Sequence, residues 1–429
     1  MEVSVKEAEN YIKVLLVGLD TGKEQEFDHS MEELSSLAQA ACKQVTGIIT
    51  QRMESVNRSL YIGTGKVAEV RKFAEECGAE EVVFDDALTP SQVRNLGREL
   101  ELPVLDRTSL ILDIFALRAR TREAKLQVET ARLQYILPRL VGMRENLSRQ
   151  GGTGGSMSNR GAGETRLELD RRRIEHRISE LRRELETVAK NRQTMRKKRS
   201  RSGIPQVALV GYTNAGKSTV MNRMVDLYGE SAEKSVLEKD MLFATLDTNV
   251  RSIHTGDSKP FFLVDTVGFI HKLPHGLVKA FRSTLEEVCY ADLLVQVVDF
   301  SDEYHRDHMT VTTETLKELG AADIPLITVY NKADKCQLED LPQRKGNQIY
   351  MAAAKGIGLE ELIAMIKETV YAGQEETCFL IPYEKGGVAS KLMEKATVLA
   401  KEYREDGVWM HVSCLKEDRE RYHAYRVTE

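Results

Sequence analysis

Up to about residue 105 the chain alternates short β-branched runs with stretches of helical periodicity. Ile12 to Val17, Val45 to Thr50 and Glu81 to Phe84 read as buried strands, and Met31 to Cys42, Lys66 to Cys77 and Pro90 to Leu100 as helices. Strands separated by helical segments predict a small parallel α/β domain. From about Leu110 the pattern changes. Glycine is absent except around position 142 and in one block, and Ile174, Ile178, Leu181, Leu185 and Val188 recur at alternating steps of four and three, the seam of two packed helices. Two long antiparallel helices are predicted. Residues 151–163 (GGTGGSMSNRGAG) are too rich in glycine to continue either one and should form a mobile tip.

A third region, about 203–372, returns to alternating strands and helices, with strands at Gln206 to Val210, Phe261 to Val264, Leu293 to Val298, Pro325 to Tyr330 and Gln348 to Met351. A fourth, about 374–429, reads as a strand (Thr377 to Ile381), a helix (Ala389 to Glu405) and a strand (Val408 to Ser413). The expected architecture is therefore multidomain α/β. We expect an N-terminal parallel α/β domain over 1–109, a long antiparallel helical hairpin over 110–202, a nucleotide-binding domain over 203–373 and a small C-terminal α+β domain over 374–429.

Composition narrows the setting. No apolar run near the start approaches the roughly 20 residues that span a bilayer, and no signal peptide precedes the first strand, so we expect a cytoplasmic monomer with no membrane partner. Six widely separated cysteines, with no CxxC and no Cys/His cluster, read as reduced, mostly buried thiols. The net charge of −5 would repel a polyanion unless basic residues are concentrated somewhere.

The chemistry is concentrated in the third region. Gly211, Tyr212, Thr213, Asn214, Ala215, Gly216, Lys217 and Ser218 form GxxxxGKS directly after an apolar strand and before a helix that starts at Thr219. In that setting backbone N–H groups cradle phosphate oxygens, the lysine reaches the terminal phosphates and the serine hydroxyl binds Mg²⁺. Asp265, Thr266, Val267 and Gly268 end a later strand: Asp265 is placed to hold Mg²⁺, through water, and the Gly268 amide to sense a γ-phosphate. Asn331, Lys332, Ala333 and Asp334 follow another strand. The Asp334 carboxylate can accept hydrogen bonds from guanine N1–H and the exocyclic amine. Adenine offers neither, and each lost charged hydrogen bond costs about 1.5–3 kcal/mol, so GTP is the expected nucleotide.

Three such motifs in order resemble a G protein, and the resemblance locates the remaining parts. Phe243, Ala244, Thr245, Leu246 and Asp247 correspond to the first switch segment, with Thr245 a metal ligand that senses the γ-phosphate; Lys217, Thr245 and Gly268 are the expected catalytic residues. Ala352, Ala353 and Ala354 stand where such proteins carry Ser-Ala-Lys or Ser-Ala-Gln, whose central backbone N–H meets guanine O6. Phe269 occupies the place of a water-orienting glutamine. A phenyl ring cannot hydrogen-bond water in that role, so intrinsic hydrolysis should be slow and partner-stimulated. Asn214 is either a structural amide or the asparagine of GTPases that use K⁺.

The rest of the chain resembles the HflX family of ribosome-associated GTPases. The resemblance rests on Tyr61 to Lys66, on Asp106 to Phe115, on Gln127-Val128 with Tyr135, and on Arg160 to Thr165. It departs from the family pattern at Ser156 to Asn159 and at Ala162. The family implies a P-loop GTPase domain with a doubly wound sheet, binding to the large ribosomal subunit through ribosomal RNA and proteins, and GTP-dependent splitting of stalled or idle ribosomes. A non-enzymatic GTP-dependent RNA-binding switch is the alternative, or a specialised rescue variant for antibiotic stress. Residues 164–201 carry fourteen Lys/Arg against seven Asp/Glu, which suits RNA contact or a solvated helix face. The RNA-facing candidates are Arg149, Arg160, Arg171, Arg172 and Arg173. Gly63-Thr64-Gly65-Lys66 looks like half a P-loop but lacks its spacing and hydroxyl, so we read it as a turn or an RNA-facing loop.

Overall fold

The computed structural model describes residues 11–427 except 23–26, 141–158, 201–203, 230–242, 244–248, 257–258, 273, 275–276, 278–281, 337 and 339. The chain divides into two compact units: residues 1–186 with 241–246 and 271–282, and residues 187–240 with 247–270 and 283–429.

The first unit is built on β1 (Ile12–Asp20), α1 (Phe27–Ala40), β2 (Lys43–Arg52), α2 (Thr64–Cys77), β3 (Glu81–Phe84), α3 (Pro90–Leu100) and β4 (Val104–Asp106), paired in parallel in the order β2-β1-β3-β4. Val14 to Val17 are all buried, as expected of a parallel strand covered on both faces. Gly63 caps α2 and Thr64, Gly65 and Lys66 open that helix, so the half P-loop is a helix start.

Where one long first arm was expected, the structure has two helices, α4 (Arg107–Arg118) and α5 (Arg122–Ile136). Ala119 leaves α4 in an extended conformation, and the Thr121 hydroxyl accepts from Ala124 N to start α5. The boundary expected at 109/110 thus falls inside α4. Its start is fixed by Asp106, fully buried, which accepts from Ser109 N at 2.8 Å, Leu88 N at 3.0 Å and Tyr135 Oη at 2.6 Å, with Arg139 at 3.4 Å. The other arm is α6 (Asn159–Ser200), so residues 159–163 are helical and not part of a tip; residues 151–158 lie outside the described residues. Arg122–Glu184 and Arg177–Glu129 ion pairs, both 2.8 Å, fix the antiparallel register of α5 and α6, over a seam in which Ile178 and Leu181 are buried.

In the second unit, β5 (Gln206–Val210), α7 (Lys217–Tyr228), β6 (Asn249–Ile253), β7 (Phe261–Asp265), α8 (Arg282–Cys289), β8 (Leu293–Asp299), α9 (His305–Leu319), β9 (Leu326–Asn331), β10 (Gln343–Lys345), β11 (Gln348–Tyr350) and α10 (Leu359–Val370) build a seven-stranded sheet. Its order is β10-β11-β9-β8-β5-β7-β6, parallel except at the two edge strands β6 and β10. Connections from β5 run first to β7 and then to β8 on its other side. Strand order therefore reverses at β5, and a ligand crevice belongs at the carboxyl ends of β5 and β8.

The C-terminal sheet is antiparallel, β13-β14-β12-β15, from β12 (Gln374–Ile381), α11 (Gly386–Lys395), β13 (Thr397–Arg404), β14 (Gly407–Leu415), α12 (Lys416–Arg421) and β15 (Arg426–Val427). The helix expected over 389–405 is corrected: it ends at Lys395, and the following residues pair with β14 across a turn at Gly407, whose φ of +151° brings its backbone against Ile381 O. All six cysteines are free thiols, but only Cys378 and Cys414 are buried; Cys42 is exposed and the other three are half-buried, which corrects the mostly buried reading.

Asp106→Ala should destabilise the first unit by about 3–5 kcal/mol, the cost of stranding the partners of a buried charge, read as a lower urea midpoint. An unchanged midpoint would show that Asp106 is not the anchor of α4.

Candidate nucleotide site

The P-loop leaves β5 at Val210 and enters α7 at Lys217. Two glycines are obligatory by contact. Gly211 has φ +141°, and a Cβ there would lie 2.2 Å from Val297 O; Gly216 has φ +95°, and a Cβ there would lie 2.2 Å from Asn331 Nδ2. The loop closes on the Lys217 ammonium, which is buried and donates to Gly211 O at 3.0 Å and Tyr212 O at 2.7 Å. Burial lowers the Lys217 pKa to about 8 although Asp265 acts in the opposite direction. Tyr212 stacks on His308 with ring centroids 3.8 Å apart.

Ser218 Oγ donates to Asp265 Oδ2 at 2.8 Å, uniting the start of α7 with the end of β7. A hydroxyl beside a buried carboxylate is the hard oxygen set that Mg²⁺ takes. Thr266, by contrast, turns its hydroxyl to Leu209 O at 2.6 Å and serves the core. Phe269 is 1% exposed. Its backbone is paired with the P-loop, Thr213 N donating to Phe269 O at 2.8 Å and Phe269 N to Gly211 O at 3.1 Å. Gly268 is consequently drawn in so far that a Cβ on it would lie 2.9 Å from Lys217 Nζ and 2.8 Å from Thr213 Cα.

Asn331 is the last residue of β9 and joins the two ends of the site: its Nδ2 donates to Ala215 O at 2.9 Å and its Oδ1 accepts from Ala353 N at 3.0 Å. The Ala353 amide expected to meet guanine O6 is therefore already bonded to Asn331, so O6 would have to share it. Lys332 donates to Asn214 O and to Asp299 Oδ2, both at 2.8 Å. Asp334 pairs with Lys355 at 2.9 Å, Ala333 and Ala352 are buried, and Ala354 O accepts from Arg223 at 3.0 Å.

Of the expected site residues, Gly211 to Thr219, Asp265 to Gly268, Asn331 to Asp334 and Ala352 to Ala354 all belong to the second unit. Phe243 is assigned to the first unit, where it is buried edge-on to Phe115 with ring centroids 4.8 Å apart. Ala244, Thr245, Leu246, Asp247 and Arg149 lie outside the described residues, as does the side chain of Arg160. Arg171, Arg172 and Arg173 are exposed and paired along the helix with Glu175, Glu168 and Asp170. Sequence reasoning missed Asp299, which anchors Lys332, and Lys355, which faces Asp334. Asp299 had a signal, since it closes the apolar strand β8 as Asp265 closes β7.

Comparison with known proteins now applies. Residues 28–116 match a family described as GTP-binding GTPase N-terminal, residues 118–199 one described as GTP-binding GTPase Middle Region, and residues 206–332 one described as 50S ribosome-binding GTPase. The GTPase HflX of Caldanaerobacter subterraneus subsp. tengcongensis is 43% identical over 411 residues, 95% of this chain and 92% of that one. The GTPase HflX of Escherichia coli K12 is 39% identical over 384 residues, 88% and 87% of the two chains. Among solved structures, a GTP-binding protein from Sulfolobus solfataricus in complex with GDP is similar at 27% identity and a TM-score of 0.43, covering 83% of this chain and 98% of its own. With relatives this similar over nearly their whole length, the chain belongs to the HflX family of GTPases, and GTP hydrolysis is its activity.

Proposed function

We propose that this GTPase acts in the cytoplasm on the large ribosomal subunit, docking in its GTP form to split stalled or idle ribosomes and leaving after hydrolysis. The observation that carries the reading is the match of residues 206–332 to the 50S ribosome-binding GTPases. It sits in a chain that also carries a helical hairpin with a strongly basic second arm. The ion pairs of Arg171, Arg172 and Arg173 are exposed and screened by solvent, so they can be exchanged for RNA phosphates. Among the described residues no helix is long and apolar enough to cross a membrane.

In the reaction the P-loop amides and Lys217 stabilise charge on the phosphates, Gly268 and Thr245 respond to the γ-phosphate, and water attacks in line. Ser218, Asp265 and Thr245 would hold Mg²⁺, which supplies neutralisation of the developing charge. Asp334 selects guanine. Phe269 offers the attacking water no hydrogen bond of its own, so the ribosome supplies the stimulation. K⁺ at Asn214 would add a further cation: faster turnover in KCl than in NaCl is the sign of it, and equal rates would remove it.

Sucrose-gradient profiles test the reading. Ribosomes mixed with the protein and a non-hydrolysable GTP analogue should shift from 70S particles to subunits, with the protein on the large one; intact 70S particles and protein left at the top would overturn it.

Asp334→Asn should weaken guanine nucleotides by more than about tenfold, on the energy of one charged hydrogen bond, and favour xanthine nucleotides; unchanged GTP preference in competition binding would place the base elsewhere. Lys217 gives a pH signature. Its lowered pKa means that the ligand-free ammonium begins to lose its proton near pH 8, whereas contact with phosphate restores the proton. Affinity should be full below about pH 8 and fall above it, by up to about tenfold per unit. Calorimetry near pH 9 in buffers of different ionisation heat should show net proton uptake, and none would mean Lys217 does not meet the phosphates.

A further inference from the structure

The outer edge of the first sheet holds a cavity that the nucleotide chemistry does not use. The sheet ends at β4, a strand of only three residues, with α3 packed beside α2 on one side and α4 beside α1 on the other. Between these helices, β4 and α5 lies a cavity of about 530 Å³, and every residue lining it belongs to the first unit. That volume is in the range that takes a small organic molecule. Part of the lining is apolar. Val93, Leu102, Leu105 and Ile136 contribute to it and are only half-buried, so a molecule laid against them would remove apolar surface from water.

The polar lining is unevenly balanced. Arg139 is committed: its guanidinium lies 3.6 Å from the centroid of the Tyr135 ring, donates to Tyr135 O at 2.9 Å and Leu88 O at 2.7 Å, and pairs with Asp106 at 3.4 Å. Arg132 faces Asp113 at 3.8 Å, and Glu81 is neutralised by Lys43 at 2.5 Å. Arg94 is different. It lines the cavity half-buried, makes no ion pair or hydrogen bond with any described residue, and has its Nε buried without a partner. In the cavity and paired with its lining, the four cations Lys43, Arg94, Arg132 and Arg139 thus stand against the three carboxylates of Glu81, Asp106 and Asp113. The surplus is Arg94. A half-buried cation without a counter-ion is costly, and an anion brought to it offsets that cost.

We propose that this cavity is a binding site for a small carboxylic acid with an apolar body, its carboxylate received by Arg94 and its body laid on Val93, Leu102, Leu105 and Ile136. The planar guanidinium fork matches a carboxylate. A surplus of one cation also matches one negative charge, which a carboxylate carries and a phosphate monoester, at about −1.5 to −2 near pH 7, exceeds. A nucleotide brings several charges and a polar sugar to a lining that offers one free cation and apolar side chains. Because the occupant touches α3, the approach to β4 and the end of α5 together, its binding stabilises the first unit.

The test is calorimetric titration of the full-length protein, saturated with GDP, with naphthoate and with naphthalenemethanol, which share a bicyclic body and differ in charge. Naphthoate should bind a single site at least about tenfold more tightly than the alcohol, the fold-change of one charged hydrogen bond. Arg94→Gln should bring naphthoate down to the level of the alcohol, and Ile136→Trp, which fills the cavity, should lose both; thermal unfolding checks that each variant is folded. Equal affinity of the two compounds for the wild type, no naphthoate binding, or naphthoate binding that survives in Arg94→Gln or Ile136→Trp overturns the site. Tighter binding of naphthyl phosphate than of naphthoate overturns the choice of a carboxylate, and displacement of naphthoate by a lower concentration of ATP overturns the apolar body.

Discussion

A buried ammonium governs the nucleotide site. Lys217 sits where water is excluded, and a charge in that position must find oxygen atoms close by or lose its proton. The P-loop meets the demand with its own backbone, wrapping the carbonyls of Gly211 and Tyr212 around Nζ. Those contacts require the tight, glycine-dependent path of the loop. They also define what the ligand must be: a group that replaces two carbonyl dipoles with full negative charge. A triphosphate does so and returns the carbonyls to the loop. The same tight packing requires glycine at 268, where a Cβ would lie 2.9 Å from Nζ.

Asn331 extends this constraint to the base. One carboxamide donates to the P-loop at Ala215 and accepts from the base loop at Ala353, and its neighbour Lys332 repeats the connection through Asn214 while Asp299 neutralises it. The P-loop and the loop of Ala352 to Ala354 thus share hydrogen bonds at one strand end. Moving either loop leaves a buried amide group unpaired at a cost of about 1–3 kcal/mol. The serine missing from Ala352-Ala353-Ala354 is thereby offset: the loop is held by Asn331 and by Arg223 on Ala354 O, not by a hydroxyl of its own.

What could be read in the sequence was whatever local order dictates. GxxxxGKS between a strand and a helix, Asp265 closing β7 and Asn331 closing β9 are short-range patterns, and the parallel strands of both units announced themselves as continuous apolar runs. Features decided by distant partners were hidden. Ala389 to Glu405 contains good helix formers, yet Thr397 to Arg404 becomes a strand because β14 offers it a ladder across the turn at Gly407. Thr121 ends the expected long helix by a cap that competes with helix continuation. Arg107 looked like one charged residue in a family block, and only the fold shows it fully buried between Glu33 and Asp85. Lys272 carried no signal at all, since its partner Asp85 lies 187 residues away.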